Sequence, residues 1–119
     1  MTTAMEHTAQ VANIAAIGNN VKGVVGVIPN ADSISGIKLH IGKGLTGGGS
    51  GNSAVVLAAV AACVENGANV ISMSLGGGGY SQTENSAYED VYLNDSVLII
   101  AAAGNGWNSG ISYPASYPS

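Results

Sequence analysis

Two short apolar segments, each followed at once by a glycine-rich stretch, constrain the fold of this chain most strongly. Residues 69–73 predict one strand, and the continuous apolar run over residues 96–103 predicts another that is buried on both faces. Between them, residues 83–94 carry apolar side chains at helical spacing, which predicts an amphipathic helix. A helix that joins two strands in this way predicts parallel pairing through a right-handed crossover.

The rest of the chain continues this alternation. Residues 53–66 predict the clearest helix, with Ser53 as its N-cap and Asn66-Gly67 as its C-terminal end. Three further elements are predicted upstream: a helix over residues 8–17 and strands over residues 23–28 and 33–41. Alternating strands and helices indicate an α/β fold with a parallel sheet, and in such folds binding sites form at the carboxyl ends of the strands.

Charged residues are sparse. Among 119 residues, Lys and Arg together number three against seven acids, which gives a formal net charge of −4. Nucleic acids and anionic membrane surfaces are bound by clustered Lys and Arg, so the composition excludes both kinds of partner. No apolar run reaches the roughly 18 residues of a membrane span, and no signal peptide is visible at the N-terminus.

Composition also limits the core and the site chemistry. The chain has no Phe and one Trp, so the core must be built from Ala, Val, Ile and Leu. The single cysteine, Cys63, excludes an internal disulfide and a zinc site made of cysteines. Eighteen glycines favour tight turns and sites lined by backbone.

Four segments, in this order, resemble segments of the subtilisin-like serine proteases, or subtilases. They are residues 23–29 (Gly-Val-Val-Gly-Val-Ile-Pro), residues 69–77 (Asn-Val-Ile-Ser-Met-Ser-Leu-Gly-Gly), residues 98–105 (Leu-Ile-Ile-Ala-Ala-Ala-Gly-Asn) and residues 113–119 (Tyr-Pro-Ala-Ser-Tyr-Pro-Ser). The resemblance covers the chain from about residue 6 to the end. It implies a three-layer α/β/α fold with a mostly parallel sheet, a single incomplete peptidase domain over residues 1–119, and peptide-bond hydrolysis as the family activity.

The resemblance implies that Asn105 is the oxyanion-hole Asn of the family. In acyl transfer the tetrahedral intermediate develops a negative oxygen, and a preorganised side-chain amide can donate a hydrogen bond to it. Asn105 comes two residues after the predicted strand, so the backbone before it is held in place. Taken by itself, an Asn before a Gly is ordinary turn chemistry, and it is the order of the four segments that favours the oxyanion hole.

Two glycine-rich stretches match the substrate-binding edges of the family. The wall of the primary specificity pocket, where substrate adds as an extended strand, is matched by Ser74, Leu75, Gly76 and Gly77. The opposite edge is matched by Gly49, Ser50 and Gly51, for which a flexible loop is the alternative. The implied partner is an extended polypeptide substrate or inhibitor. A nucleotide site is not indicated, because no Gly-x-x-x-x-Gly-Lys-Ser/Thr occurs.

The catalytic triad of the family is incomplete in this chain. The segment around the family His is matched by residues 6–12 (Glu-His-Thr-Ala-Gln-Val-Ala), which places the triad His at Ala9 or Gln10. Neither side chain titrates near neutral pH, so neither can act as general base. His7 is displaced by about one helical turn, roughly 5 Å, and His40 matches no catalytic position. No segment matches the triad Asp or the Gly-Thr-Ser-Met-Ala around the nucleophile, so the chain alone is expected to be inactive.

The stretch Gly18-Asn19-Asn20 resembles the calcium loop of the family, with Asn20 as its one side-chain ligand. Calcium requires six to eight oxygens, so the loop is expected to be empty and no cofactor is predicted, although calcium remains possible in an intact family domain. Three interpretations stay open: a truncated or decayed protease fragment, a pseudo-protease that binds extended peptides, and one part of a split protease completed by the missing parts of the domain. A small α/β ligand-binding domain is disfavoured by the order of the motifs. The family is mostly secreted.

Overall fold

The computed structural model describes residues 40–106 and 110–118, which divide into two compact units. One unit contributes residues 46–50, and the other comprises the remaining described residues. The larger unit contains helix α1 (Ser53–Glu65), strand β1 (Val70–Met73), helix α2 (Gln82–Leu93) and strand β2 (Leu98–Ala101). Neither helix of this part of the chain is long and apolar enough to cross a lipid bilayer. The predicted helix over 8–17 and strand over 23–28 lie outside the described residues.

Helix α1 occurs where it was predicted, but its cap is one residue earlier. Asn52, rather than Ser53, is the N-cap, because its side-chain oxygen accepts a hydrogen bond of 3.0 Å from the backbone N–H of Val55. This bond satisfies one of the backbone donors that the first turn leaves unpaired. At the other end Asn66 is the C-cap and Gly67 follows with φ of 77°, as the sequence predicted.

Helix α2 begins at Gln82, one residue before the predicted start. Its N-cap is Ser81, whose hydroxyl accepts a hydrogen bond of 3.4 Å from the backbone N–H of Glu84. A Ser followed three residues later by Glu is the sequence pattern of a capping box. The prediction of residues 83–94 did not use this local signal, which fixes where the helix starts.

Strands β1 and β2 pair in parallel, with Val70 opposite Leu98 and Met73 opposite Ala101. The chain passes from one to the other through α2, which confirms the predicted strand–helix–strand unit and the α/β class. The backbone N–H of Ala102 donates to the carbonyl of Met73 over 3.0 Å, so the ladder continues past the end of β2. The carboxyl ends of both strands therefore lie side by side.

The core lies on one face of this sheet. Its buried members are aliphatic apart from one methionine: Val56, Val60, Ile71, Met73 and Val97. Partly buried side chains from α2 and β2, including those of Val91 and Ile99, pack against them. Because side chains alternate between the faces of a strand, Ile71 and Met73 of β1 contact the helices while their neighbours in sequence point the other way.

The opposite face of the sheet is exposed, with 55% of Val70, 48% of Leu98 and 52% of Ile100 accessible to solvent. The prediction that residues 96–103 are buried on both faces is therefore wrong for the described structure. The physical reason is that both helices pack against the core face, and no element within the described residues covers the other one. Parallel sheets in complete domains are covered on both faces, so the three-layer arrangement stays a prediction.

The strand predicted over residues 33–41 is wrong at its described end. His40 and Ile41 are exposed and belong to no strand; residues 33–39 lie outside the described residues. A Cβ atom added at Gly42 would be 3.0 Å from the Sγ atom of Cys63, and one added at Gly44 would be 3.4 Å from the Cα of Val56. The backbone at Gly42 and Gly44 instead runs close along α1, which residues without a side chain permit.

Two Ile-to-Thr substitutions test the one-sided burial of the sheet. Ile71 is 7% exposed and Ile100 is 52% exposed, and both lie in strands where a β-branched residue is retained by the change. Ile71→Thr removes buried apolar surface and buries a hydroxyl, so we expect the free energy of unfolding to fall by about 2–4 kcal/mol. Ile100→Thr is expected to cost about 0.5 kcal/mol or less. Urea unfolding measures both, and equal losses would contradict the assignment of faces.

Candidate functional site

Two glycine-containing segments meet a third segment just beyond the carboxyl ends of β1 and β2. A Cβ atom added at Gly76, three residues after β1, would be 2.6 Å from the hydroxyl oxygen of Ser112. A Cβ atom added at Gly104, three residues after β2, would be 3.7 Å from both the Cβ and the hydroxyl oxygen of the same serine. The side chain of Ser112 therefore lies against both glycines, and the segments that follow the two strands form one site.

The segment after β1 is held by the chain itself. Gly77 and Tyr113 form an antiparallel bridge in which each backbone N–H donates to the other's carbonyl over 2.9 Å. Both backbone hydrogen-bonding groups of Gly77 are thus occupied. From the sequence, the residues around Tyr113 were recognised only as a match to the family. The sole local signal for this pairing is that Tyr113 precedes a proline, and such a residue prefers an extended backbone.

The bridge at Gly77 implies the opposite orientation for the backbone of Gly76. In an extended segment, consecutive residues direct their backbone N–H and C=O groups to opposite sides. Because Gly77 pairs with Tyr113, we infer that the hydrogen-bonding groups of Gly76 face away from it. Ahead of these glycines, Ser74 and Leu75 are half-buried, and Leu75 packs against the core. We call the exposed side of residues 74–76 the open edge.

Asn105 lies at the end of the turn that follows β2. Gly104 before it adopts φ of 94°, a left-handed conformation that a residue with a side chain would adopt only with strain. The chain therefore turns sharply after the strand, and Asn105 is exposed beside it. Within the described residues, no hydrogen bond engages its side-chain amide.

The loop of residues 46–50 is closed by its own hydrogen bonds. The backbone N–H and the hydroxyl of Thr46 both donate to the carbonyl of Ser50 over 2.8 Å, and the N–H of Gly49 donates to the carbonyl of Thr46. In the other unit, a Cβ atom added at Gly51 would be 2.7 Å from the carbonyl oxygen of Gly44. The carbonyl of Ser50 is therefore already engaged, and Gly51 permits a close backbone approach.

Four tyrosines form a cluster next to the open edge. Ring centroids are 4.6 Å apart for Tyr113 and Tyr117, and 5.6–5.7 Å apart for the pairs of Tyr80 with these two rings and of Tyr88 with Tyr117. Aromatic pairs at such distances stabilise by about 0.5–1.5 kcal/mol beyond the area that they bury. This tyrosine cluster joins α2 to the segment that pairs with Gly77. The cluster was not predicted from the sequence.

The hydroxyl of Tyr117 connects this cluster to the start of α2. It donates to a carboxylate oxygen of Glu84 over 2.6 Å and accepts from the backbone N–H of Ser81 over 3.2 Å. Partial burial, followed by the hydrogen bond to the Glu84 carboxylate, raises the pKa of Tyr117 to about 12. Burial and the nearby Glu84 charge also raise the pKa of Tyr88. Both phenols therefore stay neutral at physiological pH.

A model of the subtilase family matches residues 1–119, the whole of the chain. The chain belongs to the subtilase family. This subtilase is 36% identical to subtilisin DY of Bacillus licheniformis over 117 residues and 37% identical to a thermostable alkaline protease of Halalkalibacterium halodurans over 111 residues. Among solved structures it is similar to the psychrophilic subtilisin-like protease Apa1 of Pseudoalteromonas sp. AS-11, with a TM-score of 0.76 and 48% identity.

The match covers nearly all of this subtilase but only part of its relatives. It includes 95% of this chain and 40% of subtilisin DY, and 93% of this chain and 29% of the alkaline protease. For the solved structure, the values are 91% of this chain and 24% of the other. The chain thus spans less than half the length of these relatives.

The remaining candidate residues of this subtilase lie outside the described residues. They are Ala9 and Gln10, matched to the triad His, and Asn20, matched to the calcium loop. Within the part of the chain that the structure describes, no group of three His, Cys, Asp or Glu side chains could hold a metal ion. The expectation that the loop of Gly18, Asn19 and Asn20 is empty stays a prediction.

The contact between Gly76 and Ser112 can be tested with a matched pair of glycines. Gly76→Ala forces the added methyl group and the Ser112 hydroxyl apart, so we expect a loss of about 1–3 kcal/mol in the free energy of unfolding. Gly77→Ala meets nothing within 4 Å and should cost far less. Ser112→Gly should restore most of the stability lost in Gly76→Ala, as a double-mutant cycle in urea would measure. Equal losses at the two glycines, without restoration, would contradict the contact.

Proposed function

We propose that this chain carries the substrate-binding and oxyanion-stabilising half of a serine endopeptidase site, and that by itself it does not cleave peptide bonds. The convergence of Gly76 and Gly104 on Ser112 is the observation that supports this most strongly. It brings the open edge and the turn that carries Asn105 to the same end of the sheet. In parallel α/β folds, this end is where ligands bind.

The open edge would bind an extended polypeptide substrate or inhibitor. A strand added to an exposed edge gains affinity from backbone hydrogen bonds, and the outward N–H and C=O of Gly76 can supply them. The bridge from Gly77 to Tyr113 supports this edge from behind, so that it stays extended before the peptide arrives. Ser112, which lies against Gly76 and Gly104, is the side chain best placed to limit what can enter between the two segments.

Asn105 would donate its side-chain N–H to the oxygen that becomes negative when a peptide carbonyl is attacked. Its exposure makes the amide accessible, and the turn at Gly104 restricts the backbone that carries it. A donor held in advance costs little reorganisation when the charge develops, and the loss of one such donor lowers kcat by about 100- to 1,000-fold.

The reaction also requires a nucleophile, a base and a group that orients the base. In this chain the position matched to the triad His is Ala9 or Gln10, and no residue matches the triad Asp or Ser. The chain would therefore bind substrate without forming an acyl-enzyme. We also propose that Gly49, Ser50 and Gly51 form a second substrate-binding edge. The protein is further proposed to be secreted, as is usual in the family.

We also propose that a second polypeptide completes the protease domain. The exposed sheet face of Val70, Leu98 and Ile100 supports this proposal. A partner that carries the remaining parts of a protease domain would cover this face. Ile100→Thr should weaken association with a fragment of subtilisin DY that contains those parts, by about tenfold for the apolar surface lost. Unchanged association, measured by sedimentation, would exclude this face as the contact.

A chimera tests the assigned role of Asn105. Residues 40–118 of this chain would replace the matching segment of subtilisin DY, which keeps its own triad. In that protein, Asn105→Ala should lower kcat by about 100- to 1,000-fold with KM nearly unchanged, because the oxyanion exists only in the transition state. Asn94→Ala, which changes an exposed Asn at the end of α2, is the matched control and should leave kcat unchanged.

The same experiment includes a test of inactivity. A peptide chloromethyl ketone should label the chimera covalently and leave the 119-residue chain unlabelled. Labelling of the chain alone would overturn the proposal that it lacks a working triad, and an unchanged kcat in the chimera with Asn105→Ala would overturn the oxyanion assignment.

A further inference from the structure

The start of α2 contains a capping box that is open on one side. In the usual box, the backbone N–H of the third residue donates to the N-cap hydroxyl, and the carboxylate of that third residue accepts from the N-cap N–H. Here the backbone N–H of Glu84 donates to the Ser81 hydroxyl as usual. The return bond is replaced by two, because the Tyr117 hydroxyl accepts from the N–H of Ser81 and donates to the Glu84 carboxylate. A residue 33 positions away from Glu84 therefore completes the cap.

The segment that carries Tyr117 is the one that supports the open edge. Tyr113 pairs with Gly77, and Tyr117, four residues later, bonds to Ser81, which is itself four residues after Gly77. The segment between these two attachments is closed by hydrogen bonds from the N–H of Ser116 to the carbonyl of Ser112 and from the N–H of Tyr117 to the carbonyl of Pro114. It is therefore a short turn attached at both ends, once through backbone and once through the phenol.

The opposing stretch has little packing of its own. Between Gly77 and Ser81 lie Gly78, Gly79 and Tyr80, and a Cβ atom added at either glycine would meet nothing within 4 Å. Gly79 adopts φ of 105°, which favours glycine. The stretch is held at its two ends by the bonds to Tyr113 and Tyr117, and between them by the ring of Tyr80, which packs against the rings of the same two residues.

We infer that Tyr117 is a positioning residue for the open edge: its hydroxyl, inserted into the capping box of α2, fixes the turn that pairs Tyr113 with Gly77 and sets Ser112 against Gly76. The stacking of Tyr113 and Tyr117, at 4.6 Å between centroids, couples the two attachments. The raised pKa of Tyr117 is in line with this role, since the hydroxyl keeps the proton that it donates to Glu84. The effect on peptide binding, but not the effect on the turn, rests on the proposed function.

Amide hydrogen exchange in the full 119-residue chain tests the inference. Tyr117→Phe keeps the ring and removes both hydrogen bonds, so exchange at Gly77 and Tyr113 should accelerate by about tenfold or more. Glu84→Ala should have a similar effect. Glu84→Gln should have a smaller one, because an amide oxygen still accepts from the phenol. Tyr92→Phe, at an exposed position of the same helix, is the control and should change neither rate.

The ultraviolet titration of the phenols supplies a second readout, which reports the hydrogen bond between Tyr117 and Glu84. A transition near pH 12 should be present in the unmodified chain, absent in Tyr117→Phe and displaced to lower pH in Glu84→Gln. Since the folded pKa lies above the ordinary value of 10, the stabilisation from this hydroxyl should be complete below about pH 10 and be lost as pH rises through 12.

The outcomes separate this inference from the proposed function. Unchanged exchange at Gly77 and Tyr113 in Tyr117→Phe, with the high-pH transition gone, would overturn the inference, because Tyr117 would then cap α2 and nothing more. If circular dichroism shows that Tyr117→Phe has lost its helices, the exchange rates of Glu84→Gln and Glu84→Ala test the inference instead. Equal exchange rates in these two variants would also overturn the inference. Faster exchange at Gly77 in Tyr117→Phe would sustain the inference. If the unmodified chain binds no extended peptide, the proposed function is rejected while the inference stands.

Discussion

The parallel pairing of β1 with β2 is the interaction on which the rest of the structure depends. Each strand has only four residues, and the ladder gains one more bond from the N–H of Ala102 to the carbonyl of Met73. That bond lies at the point where both chains leave the sheet. It fixes the starts of the two segments that carry Gly76 and Asn105, so their proximity follows from strand register rather than from direct contact between them.

Beyond the sheet, the chain uses its own backbone to prepare an edge. Because Gly77 pairs with Tyr113, its backbone groups are not available to pair with a peptide. The same bridge stabilises the neighbouring Gly76 in an extended conformation. The apolar side of the same sheet is left exposed at Leu98 and Ile100. Among the described residues, the sheet thus has a structured edge beyond its carboxyl end and an apolar face that stays exposed.

The sequence predicted the parts of this structure that local patterns encode. Helix α1, the two strands and their parallel order follow from periodicity and connectivity. The oxyanion-hole role of Asn105 was predicted from its place in a motif and stays a prediction. The exposure of Ile100 could not be predicted, because it depends on what covers the far face. The insertion of Tyr117 into the cap of α2 joins residues 33 and 36 positions apart, and no local pattern specifies such a contact. The cap itself, Ser81 with Glu84, was readable in the sequence and was missed.

The central claim is that Gly77 is paired within the chain while Gly76 is open to a ligand. Exchange rates of these two amides, measured without and with an extended peptide, test it most directly. We expect Gly77 to exchange slowly in both conditions, and Gly76 to exchange fast alone and more slowly when peptide is bound. Fast exchange at Gly77 without peptide, or peptide protection at Gly77 and none at Gly76, would contradict the account.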